Sequence, residues 1–189
     1  MRRLLTENSH LRTKVRIRAD YLRSLELDKV SVLDAFAGEG KVWAEVQKQL
    51  PDTHVTYLGI DKKKYARPDV IMGNNQKVMR GLQLDQFDLI DLDAFGCPWE
   101  QLAICADKAP STPVVSTCIF VTLAPVPRPL LEAAGIPEEW TSEFKAPQAL
   151  FARWRWDIWE NYCARLGYKV SNYELHLDKS AVKRYELLM

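Results

Sequence analysis

Residues 30–40 read Val30-Ser31-Val32-Leu33-Asp34-Ala35-Phe36-Ala37-Gly38-Glu39-Gly40, VSVLDAFAGEG. A short apolar run ends in an acid, Asp34, and turns through Gly38 and Gly40 into a helical pattern. A strand with that ending lays a nucleotide-type cofactor against its carboxyl end, because glycine lets the backbone approach a ligand with no Cβ in the way. The stretch predicts a parallel sheet with its functional face at the strand ends.

The rest of the chain repeats the plan. Periodicity predicts helices over 11–27, 41–50 and 99–107, with a helical turn or two over 76–84. Strands are expected over 30–34, 55–61, 69–72, 87–92 and 113–122. They are apolar rather than alternating, as in strands covered on both faces. A proline-rich excursion at 124–147 precedes a strong helix over about 149–166, closed by Gly167 in the C-cap position. Two last strands, 168–176 and 182–189, joined by a tight link at 177–180, add an antiparallel hairpin. With right-handed crossovers, the expected fold is α/β. It is a single doubly wound, mostly parallel seven-stranded sheet with helices on both faces and a C-terminal antiparallel hairpin. The 189 residues make one domain with a sizeable core, not comfortably two.

Composition narrows the function classes. A formal net charge of +1 gives no bulk electrostatic case for nucleic acid, so any such case rests on local patches. Cys97, Cys105, Cys118 and Cys163 show no close pairing and no histidine at metal-ligand spacing. They read as reduced thiols of a cytoplasmic protein, and no metal is expected. No apolar run approaches the roughly 20 residues of a membrane span, and the basic N-terminus lacks the apolar core of a signal peptide. Val15, Ile17, Tyr21, Leu22 and Leu25 form the apolar stripe of the first helix. Arg12, Lys14, Arg16 and Arg18 decorate the remainder and are the expected phosphate contacts.

Each motif admits a plain structural reading beside the chemical one. The glycine turn departs from the dinucleotide spacing G-x-G-x-x-G by placing Trp43 at the third glycine, and no Gly-Lys-Ser or Gly-Lys-Thr follows it. Asp61 ends the next strand, where a carboxylate can take both ribose hydroxyls, or stand solvated beside Lys62, Lys63 and Lys64. Gly73-Asn74-Asn75 is good turn chemistry, and Asn74 is equally placed for an adenine amino group. Asp91-Leu92-Asp93-Ala94-Phe95-Gly96-Cys97-Pro98 repeats the strand-then-acid plan. An exocyclic amino nitrogen, its lone pair conjugated into a ring, is a poor nucleophile. A carboxylate accepting its N–H and an aromatic face holding the base can orient it for attack. Asp93 and Phe95 supply those two groups. Asp93 could instead cap the helix beginning near Trp99. Asp91 reads as a buried supporting acceptor. In residues 150–162, LFARWRWDIWENY, the aromatics fall on one helical side, as in a core helix.

Asp-x-x-x-Gly-x-Gly at Asp34 to Gly40 resembles the first motif of class I S-adenosylmethionine (SAM)-dependent methyltransferases. The stretch at Asp91 to Pro98 resembles the Asp-Pro-Pro-Tyr class of amino methyltransferases. It is most similar to the Asp-x-Asp-Pro-Phe-Gly-Ser-Pro form of tRNA N2,N2-dimethylguanosine methyltransferases. Ala94 replaces the family proline and Cys97 its serine, which leaves the loop less preset in φ. The resemblance runs from about residue 30 to 123 and implies a Rossmann-like methyltransferase fold. It implies a SAM site formed by Asp34, Phe36, Gly38, Gly40, Asp61, Lys62, Asn74 and Asp91, with Asp93 and Phe95 as the catalytic pair. The expected activity is methyl transfer to a nucleobase amino nitrogen, guanine in tRNA or other RNA, with the base flipped out and the 124–147 excursion bordering the target pocket. A DNA amino methyltransferase is the nearest rival, followed by a protein or small-molecule methyltransferase. A non-catalytic SAM-binding module serving a partner subunit is a further alternative. An NAD-binding oxidoreductase is the outsider that Trp43 disfavours.

Overall fold

The computed structural model describes residues 10–121, 128–136, 149–178 and 181–189. The strands are β1 (Lys29–Asp34), β2 (His54–Asp61), β3 (Val70–Met72), β4 (Leu89–Asp93), β5 (Val114–Val121), β6 (Val170–Asp178) and β7 (Ala181–Leu188). The helices are α1 (Leu11–Ser24), α2 (Lys41–Gln49), α3 (Asn75–Gly81), α4 (Trp99–Lys108), α5 (Arg128–Ala133) and α6 (Ala149–Arg165). The strands form one seven-stranded sheet in the order β3-β2-β1-β4-β5-β7-β6. The first five are parallel, and the β6–β7 hairpin inserts antiparallel, with β7 against β5. This is the doubly wound sheet with a terminal hairpin that the alternating pattern implies. The order reverses between β1 and β4, and such a switch point leaves a crevice at the carboxyl ends of the strands.

Strand pleat decides what each helix layer covers. Val30, Val32, Leu89, Tyr185 and Leu187 turn toward α1 and α2, where Val15, Leu22, Trp43 and Val46 meet them. Leu33, Ile60, Ile90, Leu92 and Leu188 face the other layer, built from Met79, Leu102, Leu130, Ile158 and Trp159. Burial on both faces explains the continuous apolar strands. On α6, Ile158, Trp159, Tyr162 and Cys163 are buried while Asp157, Glu160 and Asn161 are exposed. Beneath them Trp159 Nε1 donates to Glu186 Oε1 at 2.5 Å. Burial pushes the Glu186 carboxyl up to about 7, against the pull of Arg184.

Three differences from the sequence reading have local causes. Helix α1 ends at Ser24 rather than 27, because Glu26 takes a positive φ of 52°. The described part of the proline-rich excursion is a helix, α5, with Pro129 in its first turn where no amide donor is needed. Leu130, Leu131 and Ala134 of this segment pack in the core, so this part does not border the strand-end crevice. The remainder of the excursion lies outside the described residues. In the hairpin the strands run on to Asp178 and from Ala181, leaving a link of Lys179 and Ser180, also outside the described residues.

Candidate active site

The crevice at the switch point is a cavity of about 500 Å³. The turn after β1 forms one wall. Ala35 and Ala37 donate backbone hydrogen bonds to Asp91 and Ile60, which fastens the turn to β4 and β2. Gly40 then takes φ 71° and starts α2. A side chain there would be strained, and its Cβ would collide with the Arg67 guanidinium. Asp61 closes this end. Its carboxylate accepts from Gly38 N at 3.0 Å and Lys63 N at 2.8 Å.

Three acids stand on the α1 face of the sheet. Parallel pairing sets Asp34 directly beside Asp91, and Asp93 lies two residues further along β4. Asp34 takes its hydrogen bonds from neutral donors, Phe36 N at 3.0 Å and Tyr57 Oη at 3.0 Å. Burial and then the Asp91 charge hold its pKa well above the carboxylate range. Burial raises Tyr57 too, helped by Asp34, so the phenol stays protonated and donates.

Asp91 is enclosed by the protein itself. Arg18 Nε and Nη2 reach its two oxygens at 2.7 and 2.5 Å, and Trp43 Nε1 donates at 2.8 Å. The pair is 0% and 1% exposed. Burial raises the Asp91 carboxyl despite Arg18. One helical turn earlier on α1, Lys14 Nζ bonds Asp93 Oδ2 at 2.7 Å. Burial alone would raise Asp93, but Lys14 and Arg18 outweigh it and hold this carboxyl below its ordinary range. Asp93 Oδ1 is buried, and the Thr117 hydroxyl on the neighbouring β5 also helps hold the carboxyl down. Helix α4 is capped at Pro98 without a side-chain bond, so Asp93 is not its cap. Gly96, at φ 127°, turns the loop after Asp93 and leaves the Phe95 ring 76% exposed at the cavity mouth.

The cavity thus gathers Asp34, Phe36, Gly38, Gly40, Asp61, Lys62, Asp91, Asp93 and Phe95. Asn74 is not in its wall. It is the N-cap of α3, where its side chain accepts from Lys77 N, as its turn chemistry allows. The expectation for α1 needs correction. Lys14 and Arg18 do not face solvent as phosphate contacts. They are buried because Asp93 and Asp91 compensate their charge. Arg12 and Arg16 remain exposed, and Arg16 is paired with Glu174.

Lys14, Lys183 and Tyr185 also wall the cavity, and Trp43 and Tyr57 brace Asp91 and Asp34, roles that no motif marks. One signal was present. Lys14, Arg18 and Leu22 recur at i, i+4 on one helical side, so the two cations share a side with a buried leucine. Among the described residues no three His, Cys, Asp or Glu side chains gather as a metal site. No helix there is long and apolar enough to cross a membrane.

No family model matches this sequence, and no curated protein matches it either. Solved structures do resemble it. Magnesium protoporphyrin IX methyltransferase from Synechocystis, with bound SAH, aligns over 95% of this chain and 82% of its own at 11% identity and TM-score 0.54. The same enzyme with bound SAM aligns at 13% identity and TM-score 0.53, over 95% of this chain and 79% of its own. A putative class I SAM-dependent methyltransferase from Listeria monocytogenes aligns over 94% of this chain and 59% of its own at 13% identity and TM-score 0.50. The chain has the Rossmann-like fold of these methyltransferases.

Proposed function

We propose that the protein is a SAM-dependent methyltransferase acting on an exocyclic amino nitrogen of a nucleobase in RNA, with guanine the leading target. One observation carries this reading. A single cavity joins the glycine turn and Asp61 to the Asp93–Phe95 pair, so the groups proposed to hold cofactor and target share one space.

The residues present suit SAM. Each Asp61 oxygen takes one backbone donor and keeps a lone pair, enough for two ribose hydroxyls. Asp34 is a buried carboxylate bonded only by the neutral donors Phe36 and Tyr57 among the described residues, so a cation beside it restores its ionised form. When bound, the cofactor supplies a methyl group on a sulfonium, open to in-line displacement. Asp93 accepts the target N–H and turns the nitrogen lone pair toward the cavity centre, while Phe95 offers its exposed face to the base. Asp93 is held ionised by Lys14 and is therefore a poor proton acceptor. That suits orienting an amine, which can shed its proton after transfer, and does not suit ionising a hydroxyl. Lys62 and Lys63 border the cavity and replace the buried Lys14 and Arg18 as candidate phosphate contacts. The cysteines are free thiols, which agrees with a cytoplasmic setting.

The raised Asp34 pKa gives a pH test. A bound cation favours ionised Asp34, so binding displaces a proton wherever Asp34 is protonated in the free protein. Affinity for SAM is expected to be constant between the raised Asp34 value and the pH at which the cofactor's own ammonium loses its proton. It should weaken by up to about tenfold per unit as pH falls below the raised Asp34 value. Calorimetric titration across pH checks this, and Asp34→Asn should flatten the profile. A profile with the same slope in wild type and variant would remove Asp34 from the cofactor site.

The function itself is tested by incubating the protein with labelled SAM and pooled tRNA, rRNA and DNA, followed by nucleoside analysis. Label in an N-methylated nucleoside of RNA is expected. Label in DNA alone would move the activity to the rival substrate, and label in none of the pools would end the nucleobase reading.

A further inference from the structure

We infer that Lys14 and Asp93 together read the hydrogen-bonding edge of the target, selecting an amino group that stands beside an acceptor ring nitrogen. This rests on Asp93 accepting the target N–H. Both side chains line the cavity, joined Nζ to Oδ2 at 2.7 Å. Oδ1 is buried, so what the 14% exposed Asp93 side chain offers the cavity is Oδ2, which keeps a second lone pair beside the Lys14 bond. An ammonium carries three donors, of which Asp93 takes one. The pair therefore sets an anionic acceptor and a cationic donor side by side at one point of the cavity wall.

Their placement is rigid. Lys14 sits one turn before Arg18, and Arg18 is pinned to Asp91 by two hydrogen bonds and to the Lys14 carbonyl by a third at 2.8 Å. The Lys14 ammonium also lies 5.8 Å from the centroid of the Tyr185 ring. A donor–acceptor pair fixed in this way complements a ligand edge with the reverse order. Adenine, cytosine and guanine each present it, as an amino group and an acceptor ring nitrogen on one shared carbon. Asp93 takes the amino N–H and Lys14 donates to the ring nitrogen. An alkylamine or a ring hydroxyl lacks the second half of the pattern. Lys14 is on this account a specificity-determining contact supplied by the N-terminal helix, outside both sequence motifs.

The test uses the strand that takes up label in the pooled assay. It is resynthesised with the methylated adenosine, cytidine or guanosine replaced by 1-deazaadenosine, 3-deazacytidine or 3-deazaguanosine, which turns the acceptor ring nitrogen into C–H. A hydrogen bond to a charged group corresponds to about tenfold to a hundredfold in affinity. Wild-type kcat/KM is expected to fall by that factor on the deaza strand. Lys14→Met should fall by a similar factor on the parent strand and treat the two strands alike, a loss of discrimination that a merely structural lysine would not produce. Equal wild-type rates on parent and deaza strands overturn the inference while leaving the methyltransferase reading intact, and need no variant to fold. Discrimination that persists in Lys14→Met overturns it also. Absence of label in every pool overturns the nucleobase reading and this inference with it.

Discussion

Asp93→Ala is expected to slow methyl transfer by about 10²–10³-fold, the usual loss when one preorganised polar group at a reacting centre is removed. Affinity for SAM should stay close to wild type, because the glycine turn and Asp61 are held by their own hydrogen bonds and none of these involves Asp93. The substitution leaves the Lys14 ammonium buried without its partner, which destabilises the fold. The Lys14→Met/Asp93→Ala double variant removes both charges and separates the two effects. It should regain thermal stability and remain slow. Single-turnover transfer at saturating cofactor, with a melting curve for each protein, measures this. Wild-type transfer rates in Asp93→Ala with cofactor bound would remove Asp93 from the reaction.

Arg18→Met should have the largest effect on stability. Arg18 and Asp91 are fully enclosed, and the guanidinium meets the carboxylate with two hydrogen bonds. Removing one partner strands a charge in the interior, which costs about 3–5 kcal/mol. For a chain of this size that lowers Tm by about 6–20 °C. Replacing both partners by apolar residues, as in Arg18→Met/Asp91→Leu, is often near neutral for such pairs, so the double variant should recover part of the loss, Trp43 still lacking its acceptor. A single variant that melts with wild type would show that the pair contributes nothing net. The expected loss also explains why α1 belongs to the site. The helix that carries Lys14 to Asp93 is held on the sheet by Arg18.

Much of this architecture was legible because it is coded locally. Val32 and Leu33 lie in a continuous apolar run, so β1 had to be covered on both faces, and the structure covers it on both. Gly38 and Gly40 required a backbone few other residues adopt, so the turn could be placed to the residue. The Ile158, Trp159 and Tyr162 side of α6 followed from helical periodicity alone. Asn74 shows where local coding is ambiguous. Asparagine suits both a helix cap and a ligand contact, and the cap is what its side chain makes. The described helix within 124–147 escaped because it spans only six residues, too few for a periodic signal among prolines.

The apolar strand runs, the glycine turn and the acids that end β1, β2 and β4 are written in the amino-acid order alone. These depend on hydrophobic period and backbone chemistry within a few residues. The partners of those acids come from long-range packing. Asp91 is 73 residues from Arg18, and Asp93 is 79 from Lys14. A charged residue on a helix is placed outward by periodicity unless something distant compensates it. Burying a cation is unfavourable until a carboxylate meets it, and no local pattern records that meeting. Folding therefore converted two apparent surface cations into the props of the strand-end acids, and brought one of them to the wall where the target amine is expected.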